Sequence, residues 1–338
     1  MTVSKTTPET LPQTMTAIVR REYGPATNIH VEKINTPTPS SGQVLIEVHA
    51  AGVDRGQWHV MAGMPYLMRL AGFGVTKPKE AVLGVDVAGR VVAVGDGVER
   101  FGLGDAVYGF AKGSFAEYAV AEESKLALQP KSIDHQAAAV VPVSGITALQ
   151  ALTDVGRLEA GQSVLVIGAS GGVGSYVVQL AKALGARVTG VASGAKADLV
   201  RSLGADDTID YQTTEYLDGS ATYDLIVDIG GRNPVRKLRR ALDRKGTLVI
   251  VGGEGGGRWT GGIGRGIRAV LLSPFLSQRL TMFISSESHE RLERLSDFIE
   301  SGRVVPALER RYTLDEVPAA INDIESGRTR GKSVVTVR

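Results

Sequence analysis

Residues Gly168 to Ser175 read GASGGVGS, between the apolar run SVLVI and the amphipathic stretch VVQLAKALGA. A strand that enters a glycine-rich turn and leaves it as a helix commits the surrounding chain to a βαβ unit, and so to a parallel sheet covered by helices. With no Cβ in the way, such a turn brings backbone N–H groups up to a ligand, and the helix N-terminus favours an anion. A pyrophosphate suits both. Against the dinucleotide-binding fingerprint, Ala169, Gly171 and Gly174 occupy the three glycine places, with Ser170, Gly172 and Val173 completing the turn. A glycine-rich turn can also be purely structural. Here the strand before it, the helix after it and the following strand ARVTGVAS all agree with a cofactor site.

The end of that second strand bears on which dinucleotide is bound. NAD-binding chains place an Asp or Glu about 20 residues beyond the glycines to bond the ribose 2′-hydroxyl, and that carboxylate would repel a 2′-phosphate. Here the strand runs into Ala192-Ser193-Gly194-Ala195-Lys196, with no acid. A hydroxyl and an ammonium suit a phosphate, so NADP(H) is expected rather than NAD. The alternative is that Lys196 is a solvated residue opening the next helix.

From about Gly145 strands and helices alternate through SVLVIG, ARVTGVAS, DTIDY, YDLIVDIG and GTLVIVGG, the pattern of a doubly wound parallel sheet. From Met15 to about Ala121 the texture is instead short β-branched runs cut by glycine, which predicts a mostly antiparallel β domain. A glycine-rich stretch, Gly252 to Gly266, reads either as a lid over a cleft or as a surface loop, and the tail after it carries amphipathic helices. With Lys+Arg 38 against Asp+Glu 36 and no basic-aromatic interleaving, nucleic acid is not an expected partner. The start MTVSKTTPETLPQ lacks a secretory pattern and no run reaches ~18 apolar residues, so a cytoplasmic protein without membrane association is expected.

The segments VLGVDVAGRVVAVGDGVERFGLGDAVYG, FAEYAVAEESKLALQP, AAAVVPVSGITALQAL, VLVIGASGGVGSYVVQLAKALGARV and SLGADDTIDY resemble the medium-chain dehydrogenase/reductase superfamily, and within it the zinc-independent quinone oxidoreductase-like branch. The resemblance implies an α/β architecture: a GroES-like β-barrel catalytic domain from residues 15–143 and 287–338, and a Rossmann domain from 144–286. Residues 1–14 are then a flexible N-terminal extension. It also implies that Ser193, Lys196 and Tyr211 meet the 2′-phosphate, and that Thr147, Gly230, Val251, Gly252 and Lys332 lie near the nicotinamide and pyrophosphate. A homodimer is implied too, and the apolar stretch LTMFISS suits the sheet-edge strand that would join the copies.

Zinc-dependent members of that superfamily hold a metal with a Cys, a His and a second Cys, and Asp54, Val85 and Val143 stand at the corresponding places here. Valine offers no donor atom, and the chain has no cysteine, so no metal is expected. Without a Lewis acid the easier task is reduction of a quinone or enone, which spreads incoming charge by conjugation. The candidate proton donors are Tyr66, His59 and Asp54 or Arg55. Each has a structural alternative: pocket wall, satisfied barrel residue, turn residue and surface cation. The expected activity is NADPH-dependent transfer of hydride to a quinone, enone or related activated double bond. Zinc-free alcohol dehydrogenase or carbonyl reductase activity is the second reading, and a non-catalytic NADPH-binding sensor the third.

Overall fold

The structure is a computed structural model, and it describes residues 11–253, 257–327 and 329–338. Residues 1–10 of the expected N-terminal extension and 254–256 of the glycine-rich stretch lie outside the described residues; Thr14 already opens a strand.

Six strands form one parallel sheet in the spatial order Asp207–Asp210, Arg187–Ala192, Ser163–Ile167, Tyr223–Asp228, Leu242–Ile250, Arg279–Met282. Numbered along the chain, that order is the 3-2-1-4-5-6 of a dinucleotide-binding doubly wound sheet. The central strand Ser163–Ile167 buries Val164, Leu165, Val166 and Ile167, as a strand covered on both faces must. Each such side chain contributes roughly 1.5–3 kcal/mol of burial energy. Helix Gly172–Ala183 follows it, burying Tyr176, Val177, Val178, Leu180 and Ala181 against the sheet, while the Tyr176 hydroxyl donates to the Val140 carbonyl at 3.0 Å.

A second, seven-stranded sheet runs Leu308–Thr313, Lys332–Thr336, Gln43–Val53, Asp86–Val94, Ala106–Phe110, Leu126–Leu128, with Tyr118–Glu122 also paired to Gln43–Val53. Its first two strands are parallel and the rest antiparallel. Strands Thr14–Arg20 and Ile29–Asn35 make a small sheet of their own, bridged to the larger one's segments through Ala17–Ala116 and Val19–Val82. The expected barrel is therefore seen as two sheets, whose pairings leave an open path among the described residues.

Helix Pro142–Gln150 connects the two halves. Its Ile146, Ala148 and Leu149 belong to one apolar cluster that includes Ala50, Ala88 and Tyr108 from the second sheet and Val164, Val166 and Val227 from the parallel one. One continuous core thus fixes the C-terminal ends of the parallel strands against the second sheet, and the crevice between them is where ligands bind in this class of sheet.

Candidate cofactor site and reaction cleft

The left-handed residue of the glycine-rich turn is Gly168, at φ +91°. Sequence reasoning put the first glycine place at Ala169. Its methyl group is fully buried, 3.1 Å from where a Cβ on Gly190 would stand, so the neighbouring strand's glycine makes room for it. Gly174 has the close-packing role: a Cβ there would collide with the Gly168 carbonyl. Gly171 precedes the helix with no side-chain cap, and a Cβ on it would meet nothing nearer than Gly168 O at 3.4 Å. The first-turn N–H groups of Gly172, Val173 and Gly174 therefore face an open cradle. Ser170 is pinned from behind, where its carbonyl accepts the Gly331 N–H at 2.8 Å.

Parallel register gathers the other expected cofactor residues. Asp228 lies opposite both Ile167 and Ile250, which brings Gly230, Val251 and Gly252 beside the glycine turn. Gly230 donates to Ile167 O (3.1 Å), and Val251 and Gly252 to Asp228 O (3.0 and 3.1 Å). Thr147 is buried on helix Pro142–Gln150, its hydroxyl donating to Val143 O at 2.6 Å. At the far end, Ser193 leads into the turn Gly194–Lys196, and the Lys196 ammonium donates to the carbonyls of Thr329 (2.9 Å) and Gly327 (3.2 Å). Burial lowers the Lys196 pKa, as does the nearby Arg330. Tyr211 presents an exposed ring beyond the third strand.

Two features here were not found from the sequence. Asp210 ends the third strand opposite Ala192, and a Cβ on Gly194 would lie 2.6 Å from its Oδ2. The second strand carries no acid at its end, but its neighbour places this carboxylate beside Gly194. Arg265, from helix Ile263–Leu272, reaches back to the sheet. Its Nη1 lies 2.5 Å from the fully buried Asp228 Oδ2 and donates to Asn233 O at 2.9 Å, and its Nη2 donates to Gly252 O at 3.2 Å. Burial still holds the Asp228 carboxyl above the usual carboxylate range, against the attraction of Arg265.

Lys332 leaves its strand beneath the glycine turn, where a Cβ on Gly172 would lie 3.0 Å from its Cδ, and its buried ammonium stands 3.8 Å from Asp86 Oδ2. Asp86 is fully buried and accepts the Val143 N–H at 3.0 Å. Burial pushes its carboxyl well above the usual range; Lys332 and the Val143 bond oppose the rise, and Asp54 adds to it. Asp86 Oδ2, Asp54 Oδ2 and Lys332 Nζ all lack hydrogen-bond partners. A carboxyl biased toward its protonated form thus sits beside a buried ammonium, under the expected nicotinamide end of the cleft.

The candidate proton donors do not converge. Asp54 caps helix Arg55–Ala62, accepting the Gln57 N–H at 3.3 Å. Arg55 stacks over Trp58 and donates to Ile324 O at 3.3 Å. His59 Nδ1 lies 2.9 Å from Met64 O, which selects the tautomer that donates there. Tyr66 is half-buried, its ring edge-on to Trp259 at 5.5 Å. Backbone bonds from Tyr66 N–H to Arg258 O (2.8 Å) and from Leu67 N–H to Trp259 O (3.1 Å) dock the glycine-rich stretch onto this segment. Val85 and Val143 are partly buried against the core cluster that contains Phe110, and among the described residues no three His, Asp or Glu side chains gather as a metal-ligand set. Val85 also lines a cavity of about 410 Å³ that extends past Phe110, Leu83 and Val60.

Known proteins share this arrangement. Residues 40–131 match the family described as "Alcohol dehydrogenase GroES-like domain", and residues 203–335 the one described as "Zinc-binding dehydrogenase". The chain is 30% identical over 340 residues to a chloroplast envelope quinone oxidoreductase homolog of Arabidopsis thaliana, covering 95% of this chain and 98% of that protein. It is 33% identical over 349 residues to the chloroplastic NADPH-dependent alkenal/one oxidoreductase of the same plant, covering 98% and 82%. Among solved structures, the quinone oxidoreductase from Coxiella burnetii superposes with a TM-score of 0.84 at 26% identity, over 96% of this chain and all of that one. With the sheet order, the glycine turn and near full-length matches in agreement, the chain belongs to the medium-chain dehydrogenase/reductase superfamily, among its quinone oxidoreductase-like members.

Proposed function

We propose that this chain is an NADPH-dependent oxidoreductase that reduces quinones, enones or related activated double bonds without a catalytic metal. The observation that carries the reading is the uncapped cradle at Gly171–Gly174 facing a cleft whose metal-ligand places are filled by Val85 and Val143. Similarity to proteins named quinone oxidoreductase homolog and alkenal/one oxidoreductase supports it.

The cradle fits a dinucleotide, since no Cβ or capping side chain obstructs the helix N-terminus. Ser170 to Gly174 would hold the pyrophosphate. Ser193, Lys196 and Tyr211 would face the adenosine end, and Thr147, Gly230, Val251, Gly252 and Lys332 the nicotinamide end. Once bound, the reduced nicotinamide supplies hydride. The protein's part is to seat the acceptor against the apolar wall of Val85, Val143 and Phe110, where conjugation in the acceptor takes the place of a Lewis acid. With Asp54 Oδ1 capping helix Arg55–Ala62 and Arg55 bonded to Ile324 O, Tyr66 is taken as the candidate proton donor from this segment.

Asp210 favours a second reading of the cofactor, in which NADH is also accepted through its ribose hydroxyl. The Lys196 ammonium two residues beyond Gly194 favours the phosphate, and NADPH is the reading adopted. The active form proposed is a homodimer joined along the edge strand Arg279–Met282, beside which Phe275 and Ile284 stand 84% and 92% exposed. The deciding experiment offers quinones, enones and aldehydes with deuteride-labelled NADPH. Label on the β-carbon of a saturated ketone supports the proposal. Label on a carbinol carbon makes the protein a carbonyl reductase, and tight NADPH binding with no labelled product makes it a sensor.

A further inference from the structure

The cavity beside Val85 contains a charge that nothing above employs. Arg20 ends strand Thr14–Arg20, lines that cavity, and is only 2% exposed. Its backbone N–H donates to Ala81 O at 2.8 Å, and its Nη1 donates to Val60 O. Its Nε is buried with no hydrogen-bond partner. No carboxylate pairs with it among the described residues; its guanidinium lies over the Tyr23 ring at 5.4 Å, and burial lowers its pKa. A guanidinium stays charged even so.

Burying an unpaired cation is costly, and proteins carry such groups where something else completes them. The acids around the cavity do not. Glu287 is paired with Lys125 at 2.7 Å, Glu122 accepts a bond from Gln43 at 2.7 Å, and Glu80 is exposed. The other buried polar group on the wall, Gln57, accepts the Gly84 N–H through Oε1 at 3.1 Å. The wall also carries Val82, Leu83, Val85 and Phe110, with Lys79, Lys112 and Lys125 as its further cations. Val85 adjoins Asp86, whose bond to Val143 leads to the helix that carries Thr147. The cavity thus adjoins, at Val85, the segment that leads to the reaction cleft, and has in its wall a guanidinium whose Nε is unpartnered.

We infer that this cavity receives the anionic tail of the acceptor, so that the preferred substrates are conjugated carbonyl compounds bearing a carboxylate, with Arg20 as the residue that selects them. The inference rests on the reading of the chain as a reductase of activated double bonds. A single planar guanidinium matches one carboxylate, and the apolar side chains of the wall match the carbon chain that joins it to the conjugated end.

The test compares 7-oxooct-5-enoate with its methyl ester, which differ only in the tail charge. For the wild-type protein with NADPH, kcat/KM for the acid should exceed that for the ester by roughly 10-fold or more, through KM, as expected for a charge-assisted bond. Arg20→Met should bring that ratio toward one, and Arg20→Lys should retain part of it. Calorimetric titration with the saturated 7-oxooctanoate reads binding without turnover, and the same loss of affinity should appear in Arg20→Met. Equal KM for acid and ester in the wild type overturns the inference. So does an equal loss for both in Arg20→Met, which would make Arg20 only a brace for the end of helix Arg55–Ala62. If Arg20→Met does not fold, the wild-type acid-to-ester ratio decides alone. If neither enone is reduced but 7-oxooctanoate binds through Arg20, the anion pocket stands and the reductase reading fails.

Discussion

Replacing Arg265 by Met tests what holds the crevice loops together. The guanidinium pairs with Asp228 at 2.5 Å and also bonds the carbonyls of Asn233 and Gly252, so one side chain ties three loop segments to the central strands. Removing it leaves a fully buried carboxylate with only the Gly231 N–H at 3.2 Å. Losing one partner of a buried ion pair costs about 3–5 kcal/mol. The cost should depend on pH. Asp228 already has a folded-state pKa above its unfolded value of 3.8 because of burial, and loss of Arg265 raises it further. For an acid shifted upward, stability is complete below the unfolded pKa and is lost as pH rises toward the folded one. The extra deficit of Arg265→Met therefore grows between about pH 4 and neutrality, by at most about 1.36 kcal/mol per pH unit. Urea unfolding of both proteins at pH 5 and pH 8 measures it, and adding Asp228→Asn should recover most of the loss at pH 8. An equal deficit at both pH values, with no recovery in the double variant, would refute the electrostatic argument and leave only the two carbonyl bonds.

Three further outcomes follow from the same structure. Lys196→Ala should weaken NADPH binding by roughly 10- to 100-fold and NADH binding little, while Asp210→Asn tightens NADPH; unchanged selectivity in both would mean that Lys196 merely ties the Gly327–Thr329 carbonyls. The His135 pKa is lowered from 6.5 to about 4, first by burial and then by the His49 ring 4.3 Å away and by Arg90. Because the folded state resists protonation, this stability is complete above pH 6.5 and is lost as pH falls toward 4. The ceiling of about 3 kcal/mol drops to roughly 1–2 for a half-exposed ring, and His135→Asn should flatten the melting temperature across that range. Finally, sedimentation at micromolar concentration should give about twice the 35.7 kDa chain mass, with Ile284→Lys shifting it toward the single chain; a single-chain mass for the wild type would exclude the dimer.

What the sequence made legible was local. SVLVI, the glycine turn and the helix after it announce themselves because strand burial, glycine conformation and helix periodicity are all properties of neighbouring residues. The resemblance extended this to Lys332, whose Cδ lies beneath Gly172, and to Gly252, which donates to Asp228 O. Features that depend on which strand ends meet were hidden. Asp210 looks like one residue in a third strand until parallel pairing sets it beside Gly194. Arg265 sits in a glycine-rich stretch that gives no sign of a partner 37 positions earlier. Arg20 closes the unremarked run MTAIVR, and only the approach of Val60 and Leu83 turns it into a cavity residue. The edge strand expected over LTMFISS spans only Arg279–Met282, because the chain leaves the sheet once pairing with Ile250 is complete.

The second sheet also sets an order of events during synthesis. Strand Gln43–Val53 emerges early, yet one of its neighbours is Lys332–Thr336, with Ser333 opposite Val53. Until residues 332–336 have been made, Ala50 to Val53 have bare N–H and C=O groups on that flank, the kind of edge that pairs with other chains, whereas Gln43 to Glu47 pair with Tyr118–Glu122. The parallel sheet, whose strands all lie between residues 163 and 282, contains no strand from residues 332–336 and can form first. The late strand then brings Lys332 under a glycine turn already built, so maturation of the cleft coincides with the insertion that closes this edge.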